Sequence, residues 1–546
     1  MSGGAFTPAP CAARRAALFI GLALLASCGG GGGSPSPASA PPPPPAALLR
    51  VSPPSPFAVG CNGNPQSGTL FPNAEVEPYI AVNPQNPNNL VGVWQQDRWS
   101  NGGSQGALSA TSFDGGKTWS VRSVAFSRCA GGNVANGGDF DRASDPWVTF
   151  SPNGAAYQMA VSFTGASFSA NSSNALLVSR STDGGASWSP TVTLIRDGSQ
   201  FFNDKGSITA DPRDARFVYA TWDRLAQSGG GPAMLARSTD GGASWTAATP
   251  IYDPGANSQT IGNEIVLLAD GTLVDLFTQI DAAPNGMRRS SLAVIRSSDR
   301  GATWSAPTKI ADLLAIGTKD PDSGVAIRDA AVLGEIAVDT LGNLYVVWQD
   351  ARFSGGTRDG IAFARSIDGG ATWSAPVQVN GVTTVQALLP TVRVRADGTI
   401  GVLYYDLRDN TPDPATLPTD VWLARSNDGG RTWTENRIAG PFDLANAPLT
   451  DGGYFLGDYQ ALAVSASNFV PFFAAANDGD SANRSDIFVA TGPLVARETL
   501  TFAARPVLPS LSEGVAPEFA ERVSKSILRT LQNRLNGPTR RDQVRP

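Results

Sequence analysis

The chain has 546 residues, a formal net charge of −6, 41% hydrophobic residues, 59 Gly, 41 Pro and no His. Without histidine it cannot build a Ser-His-Asp or Cys-His nucleophile or a His-liganded zinc site, and its acidic balance leaves no electrostatic footprint for nucleic acid. Abundant Gly and Pro favour turns over long helices, which puts an all-β class first.

At the N-terminus Arg14 and Arg15 precede the apolar run "AALFIGLALLA". That run is too short to span a bilayer and right for the h-region of an export signal. It ends in "LASC", which resembles the lipobox of bacterial lipoproteins. Residues 1–27 are therefore expected to be a lipoprotein signal peptide and Cys28 the lipidation site; the alternative is a plain secretory signal with a coincidental Cys. Residues 28–47 are Gly-rich and then Pro-rich, a tether with nothing to bury. The expected location is the bacterial cell envelope, periplasmic or at the cell surface, with membrane contact through the N-terminal lipid. Cleavage would remove Cys11 and acylation would use Cys28, which leaves Cys61 and Cys129. In an oxidising compartment these can form one disulfide, or they are two unrelated thiols.

From residue 48 to 500 the chain writes one short box six times. The copies are "SFDGGKTW" from Ser112, "STDGGASW" from Ser181 and again from Ser238, "SSDRGATW" from Ser297, "SIDGGATW" from Ser366 and "SNDGGRTW" from Ser426. Each lies between two strand-like runs, and another pair of such runs lies upstream, for example "FVYATWDR" after "SITADP". Four strands per repeat describe a β-propeller blade. First strands begin near Tyr79, Trp147, Ser207, Glu264, Glu335, Thr391 and Ala461. Counting them favours seven four-stranded blades, with six left open, and Leu48–Pro53 is available as the last outer strand. Within the box, Asp can accept amides of its own turn, Gly supplies positive φ, Ser or Thr adds a hydroxyl bond, and Trp anchors neighbouring sheets. The box is expected to be a structural corner between strands three and four, so its aspartates are not catalytic candidates.

The pattern S-x-D-G-G-x-T/S-W resembles the Asp-box, or BNR repeat, of the sialidase superfamily, over roughly Glu75 to Gly492. The resemblance implies the propeller. The same box is also found in sortilin-type receptors, xyloglucan hydrolases and photosystem assembly factors, so function has to be read from the site.

In a propeller, ligands usually meet the ends of second strands and the starts of first strands. The second strands end in "WQQDR" with Asp97 and Arg98, "TWDR" with Asp223 and Arg224, "WQDAR" with Asp350 and Arg352, and "YYDLR" with Asp406 and Arg408. The first strands follow Glu77, then Asp141, Arg142 and Asp145, then Asp204 and Lys205, then Asp458 and Tyr459, or open on Glu264 and Glu335. Each Asp-Arg pair reads either as part of a converging mouth or as a repeated salt bridge that shapes its loop.

Similarity to sialidases implies three arginines on a substrate carboxylate, a Tyr nucleophile with a Glu base, and an Asp acid/base. Carried over by position, these are Arg224, Arg352 and Arg408 for the clamp, Tyr459 as nucleophile, Glu335 or Glu264 as its base, and Asp145 as acid/base. Asp223, Asp350 and Asp406 would join the arginines in substrate binding. The Phe/Tyr-Arg-Ile-Pro motif usual before the first box is missing: "EVEPYIAVNP" stands there, so either another arginine such as Arg98 substitutes or the protein does not cleave sialosides. The expected function is an exo-glycosidase that releases terminal sialic acid or a similar anionic sugar, without cofactor or metal. The alternative is a non-catalytic propeller that binds glycan or protein. A divalent cation among Asp145, Asp204 and Asp458 would favour oxygen ligation over acid/base work.

In residues 501–546, "PEFAERVSKSILRTLQNRLNG" spaces Phe519, Val523, Ile527, Leu531 and Leu535 four apart. This predicts an amphipathic helix from Pro517 to near Gly537. It packs on the propeller or docks a partner or a membrane surface.

Overall fold

The computed structural model describes residues 1, 3, 47–283, 285–492, 499–506 and 515–534. The expected signal peptide, Cys28, most of the tether, Leu535 and the helix stop near Gly537 lie outside them.

The described residues form a β-propeller of antiparallel strands with one α-helix, α1 (Pro517–Arg534). First strands run Val76–Val82, Arg142–Phe150, Phe201–Ala210, Ser258–Leu267, Gly334–Val338, Ala387–Val394 and Ala461–Ser465. Each touches the next, and the last touches the first, so they close a ring around a central channel. The closing sheet takes its outer strand from the other end of the chain, since Ala47–Arg50 pairs antiparallel with Ser485–Thr491, Leu48 opposite Ala490.

Five sheets stand as separate blades with a four-stranded core, where seven were expected. Residues 70–197 form a single nine-stranded sheet instead. The cause is local: strand Ser104–Ser112 pairs with Arg142–Phe150 at Ser104 and Ala143, and the Ser104 hydroxyl donates to Ala143 O at 2.9 Å.

Second strands carry the core. Trp94, Trp222 and Trp348 occupy the same place in three of them and are fully buried. Each indole N–H keeps an acceptor, respectively Gln96 Oε1, Asn203 Oδ1 and Asp350 Oδ2 at 2.8–2.9 Å. Truncating one such Trp to Ala costs about 3–5 kcal/mol.

The Asp boxes are the corners between third and fourth strands. In the first, Asp114 Oδ1 accepts from Lys117 N and Thr118 N at 2.9 Å, Asp114 Oδ2 accepts from Thr118 Oγ1 at 2.6 Å, and Ser112 Oγ accepts from Gly116 N. Gly115 and Gly116 hold φ of 78° and 86°, which a side chain would resist. Trp119 donates to Gly116 O and leans on Phe472 of the neighbouring sheet.

Cys61 and Cys129 are joined in a disulfide across 68 residues. On the chain-entropy model a loop of that length stabilises by about 4 kcal/mol.

Candidate functional site

Five first strands carry a β-bulge at the same point, where the register slips between Val76 and Tyr79, Ser144 and Trp147, Asp204 and Ser207, Ile261 and Glu264, and Leu388 and Thr391. The bulged residue is left-handed each time: Glu77 (φ 54°), Asp145 (50°), Lys205 (48°), Gly262 (70°) and Leu389 (52°). Pro78, Pro146 and Pro390 follow three of them; proline brings no N–H to the interrupted ladder. Left-handed backbone is costly for residues with side chains and persists where the surroundings over-determine it, as at functional sites.

Three of these residues meet. Lys205 Nζ lies 2.5 Å from Asp145 Oδ1, 2.5 Å from Asp458 Oδ2 and 3.6 Å from Glu77 Oε1. Arg328 grips Asp458 with Nε at 3.0 Å and Nη2 at 2.6 Å. Burial pushes the Glu77 carboxyl up to about 7, against the pull of Lys205, and raises Asp145 as well. Burial would raise Asp458 too, but Arg328 and Lys205 hold it well below the usual carboxylate range.

Next to this layer is a cavity lined by Trp147, Lys205, Ser207, Asn263, Glu264, Leu333, Glu335 and Tyr459. Tyr79 stacks on Trp147 with centroids 3.6 Å apart, and Tyr459 meets Trp147 edge-on at 5.3 Å. Arg393 donates to the Tyr79 hydroxyl and stands 3.7 Å from Glu335 Oε2, which also accepts from Thr391 Oγ1. Glu264 Oε2 accepts from Ile336 N. Burial, then the neighbouring Glu264, drives Glu335 well above the carboxylate range; burial also raises Glu264, with Arg393 opposing. The side-chain amide of Asn263 is buried and has no hydrogen-bond partner among the described residues, so within them the cavity offers one donor group and one acceptor.

The arginines expected as an anion clamp are not assembled into one. Arg352 is held by Asp350 at 2.8 Å, and Arg408 by Asp406 at 2.6 Å and Glu435 at 3.2 Å while it lies on Trp422. Asp350 and Asp406 end their strands, and in the turn that follows each Asp accepts the backbone N–H of the arginine two residues on, which folds that guanidinium back onto it. Neighbouring residues on a strand face opposite ways, and those pairs split. Arg224 turns to Asp197 and the ring of Phe201, Asp223 binds Arg534, Arg98 donates to Gln95 Oε1, and Asp97 accepts from Ser55 Oγ. Four similar motifs thus have two structural fates.

Tyr459 reaches the cavity, but its hydroxyl donates to Pro146 O at 3.0 Å, and burial, then Glu77, Asp145 and Asp458, keep the phenol neutral. Among the described residues Glu77, Asp145 and Asp458 are the one group close enough together to share a cation, and Lys205 Nζ already bonds two of them.

Sequence reading passes over Tyr79, Trp147, Asn263, Arg328 and Arg393. Four of them lie in the first strands, and aligning those strands on the Pro or Gly step before each would have found Tyr79, Trp147 and Asn263. Arg328 comes from the long connection before Gly334, where no repeat marks it.

Residues 218–447 match the BNR repeat-like domain family. A xyloglucanase from Paenibacillus sp is 30% identical over 274 residues, 47% of this chain and 23% of that relative, so the match spans under a quarter of the relative's length. Similar solved structures include a protein of unknown function from Dyadobacter fermentans (14% identity, 78% of this chain and 96% of that one, TM-score 0.42). An α-L-arabinofuranosidase from Fusarium graminearum (14%, 65% and 92%, 0.40) and the sialidase of Trypanosoma rangeli (14%, 64% and 55%, 0.38) are others. A ring of antiparallel sheets whose third-strand corners close on repeated Asp boxes, with the BNR repeat-like family matched over residues 218–447, makes this chain a β-propeller that carries BNR repeats.

Proposed function

We propose that this propeller is a glycoside hydrolase whose chemistry sits in the central cavity, on Glu264 and Glu335. The carrying observation is that these buried carboxyls both have raised pKa values and stand beside the aromatic rings of Trp147 and Tyr459. Glycoside cleavage commonly needs one protonated carboxyl and one carboxylate. Interacting carboxyls lose their protons in two separate steps, so over an interval of pH the pair holds a single proton. Glu335, driven well above the carboxylate range by burial and by the neighbouring Glu264, keeps it as the acid; Glu264, which accepts the Ile336 N–H, is the carboxylate. Aromatic faces suit the C–H faces of a sugar ring, and the side-chain amide of Asn263 suits a hydroxyl.

The charges in and around the cavity favour a neutral glycan. Glu77, Asp145, Asp458, Glu264 and Glu335 outnumber Lys205, Arg328 and Arg393, and these three cations already face carboxylates. The 30% identity to a xyloglucanase points the same way. Release of sialic acid is the second reading, carried by Tyr459 lying close to Glu77 and Asp145. Sugar release from xyloglucan oligosaccharides and from sialyllactose, measured side by side, separates them. On the first reading Glu335→Gln abolishes release from the neutral substrate and Tyr459→Phe leaves it; on the second, release is from sialyllactose and is lost in Tyr459→Phe. No release from either, with glycan still bound, would make the chain a binding module.

The nine-stranded sheet is best counted as two blades, because it carries two first strands and two Asp boxes, at Ser112 and Ser181; that gives seven around the channel. We also infer that a lipid on Cys28 holds the propeller outside the cytoplasm. The "LASC" stretch supports this, as does the Cys61–Cys129 disulfide, which suits an oxidising compartment. A Cys28→Ala variant that still fractionated with membranes would overturn it.

A further inference from the structure

Helix α1 does more than cover a sheet. Its apolar side, Phe519, Val523 and Ile527, is buried against Ile261, Ile280 and Val332. Its last turns reach the channel mouth: Arg529, Thr530, Asn533 and Arg534 line an outer cavity together with Lys205, Arg328 and Asp458. Lys205 and Leu333 line the inner cavity as well, so the two spaces meet at these side chains and the helix end roofs the outer one. Arg534 is the deepest point of contact. Its side chain is 2% exposed, Nε lies 2.7 Å from Asp204 Oδ2, Nη2 binds Asp223 Oδ2, and Nη1 donates to Gln259 Oε1 at 2.9 Å.

The attachment uses side chains throughout. Ser524 Oγ accepts from Arg288 N, and Arg522 donates to Gly356 O, but among the described residues no sheet ladder includes the helix. Undocking it therefore breaks no strand pairing, and an element joined only in this way can open as a local unit.

We propose that α1 is a plug for the channel mouth, latched by Arg534 in the Asp204–Asp223 carboxylate pair, and that ligand reaches the central cavity only when the latch opens. This goes beyond the glycosidase reading and holds for any ligand of the cavity, so its test does not use activity. Ser207 lines the inner cavity and is buried; a Ser207→Cys substitution in the full chain places a thiol there. Its rate of labelling by a small neutral thiol reagent is measured, with the parent chain subtracting Cys11 and Cys28. Hydrogen exchange over residues 517–534 is followed in parallel.

Labelling should be slow in Ser207→Cys and roughly tenfold faster or more once Arg534→Glu is added, with exchange in α1 rising in step. Faster exchange without faster labelling would show that the helix is no plug. Unchanged exchange would show that Arg534 is no latch. If Arg534→Glu loses its near-ultraviolet circular dichroism, Val523→Asp on the apolar side frees the helix by a different contact and is read by the same two rates.

Discussion

Lys205 Nζ and Asp145 Oδ1 meet at 2.5 Å from two adjacent first strands, each side chain carried by a left-handed bulge residue. The pair is buried and shares Lys205 with Asp458. Lys205→Met removes the cation from between carboxylates that keep no other access to water, and breaking a buried pair in this way costs about 3–5 kcal/mol. Denaturant melts should show that loss. They should also show it growing with pH, because Asp145 must then hold a proton to stay buried.

Raised carboxyls give the whole molecule a pH profile. Burial lifts Glu77 to about 7 and Asp223 to about 7, and burial with Asp329 lifts Asp359 to about 8. In each the folded pKa lies above the unfolded value, so the unfolded chain gives up its proton first. Their stabilising contribution is complete below about pH 4 and is lost as pH rises toward about 8. The box residues Asp240 and Asp368 oppose this at the acid end: hydroxyl bonds from Ser244 and Thr372 bring each down to about 2, so their contribution fades as pH falls from about 4 to 2. Thermal melting followed by circular dichroism should therefore give its highest midpoint near pH 4–5 and a steady decline to pH 8. A midpoint that climbed between pH 5 and 8 would contradict these assignments.

The Asp boxes were legible in sequence because the whole device is local. Ser426, Asp428, Gly430 and Thr432 satisfy one another within seven residues, and nothing distant is needed. The fate of the Asp-Arg motifs was half legible: Asp350 and Asp406 each begin a turn that bonds the arginine two residues on, whereas the adjacent Asp223 and Arg224, both inside a strand, face opposite ways and had to find partners elsewhere. Arg534, on a C-terminal helix 311 residues from Asp223, gives no local sign of that role. The bulges were illegible for a related reason: a bulge is a relation between two strands, and one strand's letters show only the Pro or Gly that tolerates it.

Asp275 tests how much the fold gives up to unpaired polarity. It is fully buried in the second strand Leu273–Ala282, neither carboxyl oxygen has a partner among the described residues, and burial with Glu264 nearby drives it well above the carboxylate range. A buried group without its hydrogen bonds costs about 1–3 kcal/mol. Asp275→Val should recover much of that, since valine suits a central strand. The expected result is a higher melting midpoint, with the gain largest at alkaline pH, where the wild-type carboxyl is under most pressure to ionise.

Arg408 separates a ligand-binding arginine from an architectural one. Its guanidinium closes on Asp406 and Glu435 and lies 3.5 Å from the centre of the Trp422 ring, and both carboxylates are fully buried. Arg408→Leu leaves two buried acids without their cation, so stability should fall by about 3–5 kcal/mol, with little change in the affinity of the protein that still folds. A clamp arginine would behave in the opposite way, weakening binding of an anionic sugar while the melting midpoint held. Pairing each melt with a glycan titration of the same sample decides which behaviour holds. An Arg408→Leu protein of unchanged midpoint and lost anion binding would return this arginine to the ligand.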